Sequence, residues 1–196
     1  IITLYNGIDL SAYKAPSPEA CIEKRKELGL TPDSIVAVTV AVLREPKGIQ
    51  FMLQAMAQLR ETNPNLQYLV VGDGEHGPTL KEMARSLGLE NQVVFAGQRK
   101  DIPDILPVCD FFVLPTLTEA LPTVLMEAMA AQKAIIASNV GGVPEMIQDG
   151  INGRLLPPGD VPALVKACAQ LADDSALRNA WGIAGQATCR EKFNIE

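Results

Sequence analysis

The stretch Phe111-Phe-Val-Leu-Pro-Thr-Leu-Thr-Glu119-Ala-Leu-Pro122-Thr-Val-Leu-Met-Glu127-Ala-Met-Ala-Ala131 decides how this chain is read. Four apolar residues of strand length run into a short loop, and Pro122 then opens an apolar helix. Strand, loop and helix in that order predict one βα unit of a parallel sheet. Glu119 falls in the loop at the strand's carboxyl end, and Glu127 falls on the following helix. The amides of Thr123, Val124 and Leu125, at the helix start, are expected to point between the two carboxylates. Such a geometry suits a ligand with hydroxyls at one end and phosphates at the other.

The same alternation extends to both sides. Ile35 to Leu43 is a continuous β-branched run, the pattern of a strand buried on both faces. Lys47-Gly48 opens a helix with Ile49, Leu53, Met56 and Leu59 at helical spacing. Further strands are predicted at Leu66–Val71, Gln92–Ala96, Ala134–Ser138 and Ile151–Leu155. Helices are predicted from the Gly72-Asp73-Gly74 turn to about Leu87, at Ile102–Val108 and at Pro144–Gln148. Two more cover Val161–Ala172 and Ser175–Lys192, with Trp181 turned inward. The expected fold is α/β, a Rossmann-like parallel sheet with helices on both faces, with ligands beyond the strands' carboxyl ends where the strand order reverses.

Composition narrows the function. The chain has 196 residues, is 47% hydrophobic and carries a formal net charge of -6. That is enough apolar material for a sizeable core, and an acidic balance offers no electrostatic footprint for nucleic acid. The basic run Lys24-Arg25-Lys26 lies between Glu23 and Glu27 and reads as a solvated helix face. The four cysteines are widely spaced and read as reduced thiols of a reducing, cytoplasmic compartment. No signal peptide or membrane-length apolar run is evident. The chain opens on Ile1 without a starting Met and ends at Glu196, as a piece of a longer protein would; a processed chain is the alternative.

Each predicted strand end carries a candidate site residue with an ordinary alternative. Lys47 beside a helix start is unfavourable for the helix dipole unless both share an anion; otherwise it is a surface lysine in a βα turn. Gly72-Asp-Gly74 lacks the third glycine of a dinucleotide fingerprint, so a tight turn is the simpler account. The backbone of Gln98-Arg99-Lys100 lies where it could read a flat base, or is a solvated turn. Glu127 on an apolar helix needs a partner for its charge, which sugar hydroxyls would supply, unless it faces solvent. Gly141-Gly142 admits a ligand or a neighbouring domain closely, or merely tightens a turn.

Together these residues resemble the group 1 family of retaining glycosyltransferases, related to glycogen and sucrose synthases. The resemblance covers nearly the whole chain. It rests on Asn6-Gly7-Ile8-Asp9, Lys47-Gly48, Gly72-Asp73-Gly74, Val94-Phe95-Ala96-Gly97 and Asp110 through Pro115. The Glu119/Glu127 pair matches the E-x(7)-E signature, and Val140 to Glu145 and Asp149 to Gly153 complete it. The resemblance implies a GT-B architecture of which this chain is the carboxyl-terminal, donor-binding domain. Residues 1–15 would be the end of the interdomain linker and residues 175–196 the start of the crossover helices, with the acceptor domain absent.

By the same resemblance, Lys47 and Glu119 would be the catalytic residues, acting on the donor diphosphate and on the hydroxyls of the transferred sugar. Arg44, Gly72, Gly74, Arg99, Leu121, Pro122, Thr123, Val124 and Glu127 would bind the donor, with Glu127 on the ribose. The expected partners are a nucleotide sugar, first a UDP-sugar, and an acceptor glycan or glycolipid held by the missing domain; no cofactor and no metal are expected. The longer protein would be cytoplasmic or peripheral at a membrane. The sequence departs from the family at three places. Ala41-Val42-Leu43 replaces the common G-R-L, leaving open whether Arg44 stands in for its arginine. Ala120 replaces a glycine, and Ala131-Gln132-Lys133 replaces A-x-G. A GT-B epimerase or phosphorylase, or a scaffold that lost the chemistry, are the rival readings.

Overall fold

A computed structural model describes residues 7–193, so Asn6 and Glu196 of the expected termini lie outside the described residues. In chain order these form α1 (Pro18–Glu27), β1 (Ile35–Val40), α2 (Ile49–Leu59), β2 (Leu66–Val71), α3 (Gly77–Ser86), β3 (Val93–Gly97), α4 (Ile102–Val108) and β4 (Phe111–Leu114). Then follow α5 (Thr123–Ala130), β5 (Ala134–Ser138), α6 (Val143–Met146), β6 (Gly153–Leu156), α7 (Val161–Asp173) and α8 (Ser175–Lys192). The strands form one sheet in the order β3-β2-β1-β4-β5-β6, and every pairing is parallel. The order reverses between β1 and β4, as a doubly wound α/β sheet requires.

Strand periodicity explains the two cores. Val36, Val38, Phe112 and Leu114 face one side, where α4, α5 and α6 pack. Ala37, Phe111, Val113 and Tyr68 face the other, under α2, α3 and α7. Successive side chains point to opposite faces, so a sheet covered on both sides needs unbroken apolar strands. Helix α8 passes around the sheet edge, with Trp181 in one core and Cys189 in the other. Between the layers, the Tyr68 hydroxyl donates to Thr39 Oγ1 at 2.7 Å and Thr39 Oγ1 donates to the Val113 carbonyl at 2.6 Å.

Two expectations change. β1 ends at Val40, three residues before the expected Leu43, and beyond it the chain bonds first to the last residue of β2 and then to the loop that follows. Ala41 N donates to the Val71 carbonyl and Leu43 N to the Asp73 carbonyl, each at 3.0 Å. The Lys24-Arg25-Lys26 run is not a uniformly solvated face. The Arg25 guanidinium donates to the carbonyls of Val108, Pro32 and Ser34 at 2.8 to 2.9 Å and to Asp110 at 2.9 Å. Asp110 also accepts the Val36 amide at 2.8 Å, so Arg25 ties α1 to the starts of β1 and β4. The five N–H donors of the guanidinium let one side chain serve all of these acceptors.

Candidate functional site

The chemistry-bearing loops meet beyond the carboxyl ends of β1 and β4, at the switch point. The chain after β1 forms a 3-10 turn, Glu45–Lys47, and enters α2 through Gly48, whose φ of 70° needs glycine. Lys47 is therefore the last residue of a separate turn, rather than the residue before a helix that Gly48 begins. The Pro46 carbonyl accepts the Leu117 amide at 2.7 Å and lies 3.0 Å from the Thr116 hydroxyl. These contacts bind the Lys47 loop to the loop that carries Glu119.

Between those loops the Lys47 Nζ lies 2.6 Å from Glu119 Oε1, with the two side chains 28% and 11% exposed. Both line a cavity of about 310 Å³ with Val40, Ala41, Val42, Leu114, Leu121, Pro122, Thr123 and Val124. Pro122 is extended, one position before α5, and its carbonyl accepts the Leu125 amide at 3.0 Å. The expectation that Leu125 faces the ligand is thus corrected. Thr123 and Val124 remain at the open helix end, where the dipole favours an anion.

A second cavity, of about 400 Å³, shares Val40, Ala41 and Val42 with the first. Gly72, Asp73, Gln98, Arg99 and Ile102 form its other walls. The Arg99 guanidinium is already engaged: it donates to Asp101 at 2.6 and 2.8 Å and pairs with Glu27. That guanidinium holds the Asp101 carboxyl well below the usual carboxylate range, with burial opposing and Lys24 assisting. Arg99 thus offers its backbone and a locked side chain as a wall.

Glu127 lies on the face of α5 that carries Thr123 and Val124, one turn further along. It is half-buried, and burial raises its carboxyl above the usual range, with the Tyr13 hydroxyl pulling the other way as a hydrogen-bond partner. Burial, then the Glu127 charge, raises the Tyr13 phenol. Tyr13 is the residue the sequence did not offer, since a lone tyrosine in an irregular segment carries no pattern. Glu127 lines neither cavity wall directly. Arg44 is exposed and lines neither cavity. Val42, at 55% exposed, separates the two cavities where the family's arginine is expected.

The glycines of the site serve the chain itself. A β-carbon at Gly72 would lie 1.8 Å from the Ala41 carbonyl oxygen, and one at Gly74 would lie 2.5 Å from that of Leu43. Gly74 backs the site without lining a cavity. Gly141-Gly142 was read as a close approach for a ligand, a neighbouring domain or nothing but a tight turn. What comes close is the Glu119–Ala120 backbone, with Gly142 N donating to the Ala120 carbonyl at 2.7 Å. Among the described residues, no group of three or more His, Cys, Asp or Glu is placed to hold a metal ion. No helix among them is long and apolar enough to cross a membrane.

Comparison with known proteins agrees with the fold. The family model for group 1 glycosyl transferases matches residues 22–188. N-acetyl-alpha-D-glucosaminyl L-malate synthase of Bacillus anthracis is 30% identical over 196 residues, all of this chain and 50% of that protein. The UDP-Gal:alpha-D-GlcNAc-diphosphoundecaprenol alpha-1,3-galactosyltransferase of Escherichia coli is 32% identical over 90% of this chain and 46% of its own. The crystal structure of Anabaena HepE in complex with UDP and glucose superposes with a TM-score of 0.90 at 30% identity, over 97% of this chain and 52% of that one. The chain spans about half the length of these relatives. It belongs to the group 1 glycosyltransferase family and has the Rossmann-like fold of the carboxyl-terminal half of GT-B glycosyltransferases.

Proposed function

We propose that this chain is the donor-binding domain of a retaining glycosyltransferase, which passes a sugar from a nucleotide sugar to a carbohydrate or lipid-linked acceptor held by another domain. The observation that carries the reading is the Lys47–Glu119 pair beside the open end of α5 at the switch point. A diphosphate seated there meets an ammonium and the amides of Thr123 and Val124, which stabilise the charge that develops on the leaving group. Glu119 then accepts hydrogen bonds from hydroxyls of the transferred sugar. Glu127 accepts from the ribose, and the Gln98–Arg99 backbone borders the base. The Anabaena relative binds UDP, which makes a UDP-sugar the first donor to try.

Calorimetric titration with UDP, GDP and ADP tests the reading. One of the three should bind, and Lys47→Ala should weaken that binding by about tenfold or more, the scale of a lost charge-assisted contact. A folded protein that binds none of them rules the reading out. Incubation of the longer protein with donor and acceptor separates transfer from epimerisation, because only transfer yields a glycosylated acceptor.

A further inference from the structure

The cations that line the two cavities, Lys47 and Arg99, are both already engaged by carboxylates. Arg99 is tied to Asp101 and Glu27 outside the phosphate position, whereas Lys47 is tied to Glu119 inside it. Among the described residues that line the cavities a diphosphate therefore finds no unpaired cation, and it competes with Glu119 for the Lys47 ammonium. Val42 sharpens this, since an apolar side chain stands where a second cation could have shared the load.

Removing Lys47 from the pair leaves Glu119 in difficulty. Its side chain is only 11% exposed, and the arriving phosphates bring like charge beside it. A largely dehydrated carboxylate without a partner is strongly disfavoured. The hydroxyls of a sugar attached to the diphosphate can donate to Glu119 and take the place of the ammonium. A nucleoside diphosphate without a sugar has nothing to offer there.

We propose that the Lys47–Glu119 ion pair is a selectivity device, favouring the intact nucleotide sugar over the nucleoside diphosphate left after transfer. The proposal rests on the donor-site reading above and deepens it. Lys47 exchanges Glu119 for phosphate at lower cost when a sugar takes Glu119 in return. Once the sugar has left, Lys47 returns to Glu119 and the diphosphate is held more weakly.

The test is a double-mutant cycle read by calorimetry with UDP, GDP and ADP as probes. Glu119→Gln keeps the side chain's size and frees the Lys47 ammonium for the phosphates. It should bind the accepted nucleoside diphosphate about five- to tenfold tighter than the native protein, roughly the range of couplings between contacting charges. In a Lys47→Ala background the same change should give little gain. Should glutamine disturb the fold, Glu119→Ala frees Lys47 equally and must give the same sign. Unchanged or weaker binding on removing the carboxylate overturns the proposal. So does an equal gain without Lys47, which would mark plain charge repulsion. A native protein that binds one diphosphate but shows no gain on substitution refutes the selectivity device alone. One that binds none of the three refutes the donor site as well.

Discussion

A β-carbon on Gly141 would stand 1.7 Å from the carbonyl oxygen of Glu119, and Gly141 has a φ of +52°. The loop after β5 is therefore the seat on which the Glu119 loop rests. With Pro46 holding the same loop from the other side, Glu119 is placed by two neighbours that lie far from it in sequence.

Gly141→Ala must move one of those two backbones. The positive φ alone costs about 1 kcal/mol, and displacing the loop raises the total to roughly 2–3 kcal/mol. Gly150→Ala is the control, since Gly150 has a φ of +75° with nothing within 4 Å of its β-carbon position. Urea denaturation should show the larger loss at Gly141. Under the proposed function, sugar transfer by a chain that also carries the acceptor domain should fall further than stability does, because Glu119 is displaced.

Thr39 and Tyr68 should respond unequally to substitution. Tyr68→Phe leaves the Thr39 hydroxyl donating to Val113, so its cost is expected near 1 kcal/mol. Thr39→Val strands the wholly buried Tyr68 hydroxyl without its acceptor, at a cost of about 1–3 kcal/mol beyond any change in packing. Chemical denaturation of the two variants should rank them in that order.

Thiol chemistry distinguishes the cysteines. Burial pushes the thiols of Cys109 and Cys168 up to about 12 and that of Cys189 up to about 11. At neutral pH these are thiols inside a core, while Cys21 is partly exposed. A colorimetric disulfide reagent should label one cysteine per native chain, Cys21, and all four after unfolding. Rapid labelling of a second would show that a core opens.

Glu127 makes both stability and binding depend on pH. Its carboxyl is raised in the folded protein, so folding favours the protonated form. That contribution is fully present below the unfolded value of about 4.3 and is lost as pH rises through the higher folded value. In the proposed donor site ribose hydroxyls donate to the ionised form, so nucleotide affinity should change in the opposite sense, rising with pH over the same window. Titration between about pH 4.5 and 7 should show a steeper rise in the native protein than in Glu127→Gln, where only the terminal phosphate of the ligand still ionises.

The elements that were legible in the sequence are those whose pattern is local. The β-branched run from Ile35, the apolar Phe111–Leu114 segment and the helical spacing of Ile49, Leu53, Met56 and Leu59 each report the burial of their own element. The ends were less legible. Val40 closes β1 where the chain leaves the end of β2 for the loop at Asp73, and nothing in the run itself marks that point. Arg25 shows the same limit, since flanking acids describe a charge pattern and not the carbonyls of Val108, Pro32 and Ser34 that meet it.

By itself the sequence determined the alternation of strands and helices and the parallel sheet, because spacing along the chain carries both, while its motifs gave the resemblance to the family. The tertiary structure decided which candidates act together. Lys47 and Glu119 are 72 residues apart, and they touch only because the reversal of strand order sets β1 beside β4. The fold likewise gave Glu127 the Tyr13 hydroxyl as a partner, turned Arg99 toward Asp101 and left Arg44 outside the cavities. Periodicity measures how a residue stands to its own element, whereas the partner of a charge depends on which crossover returns beside it.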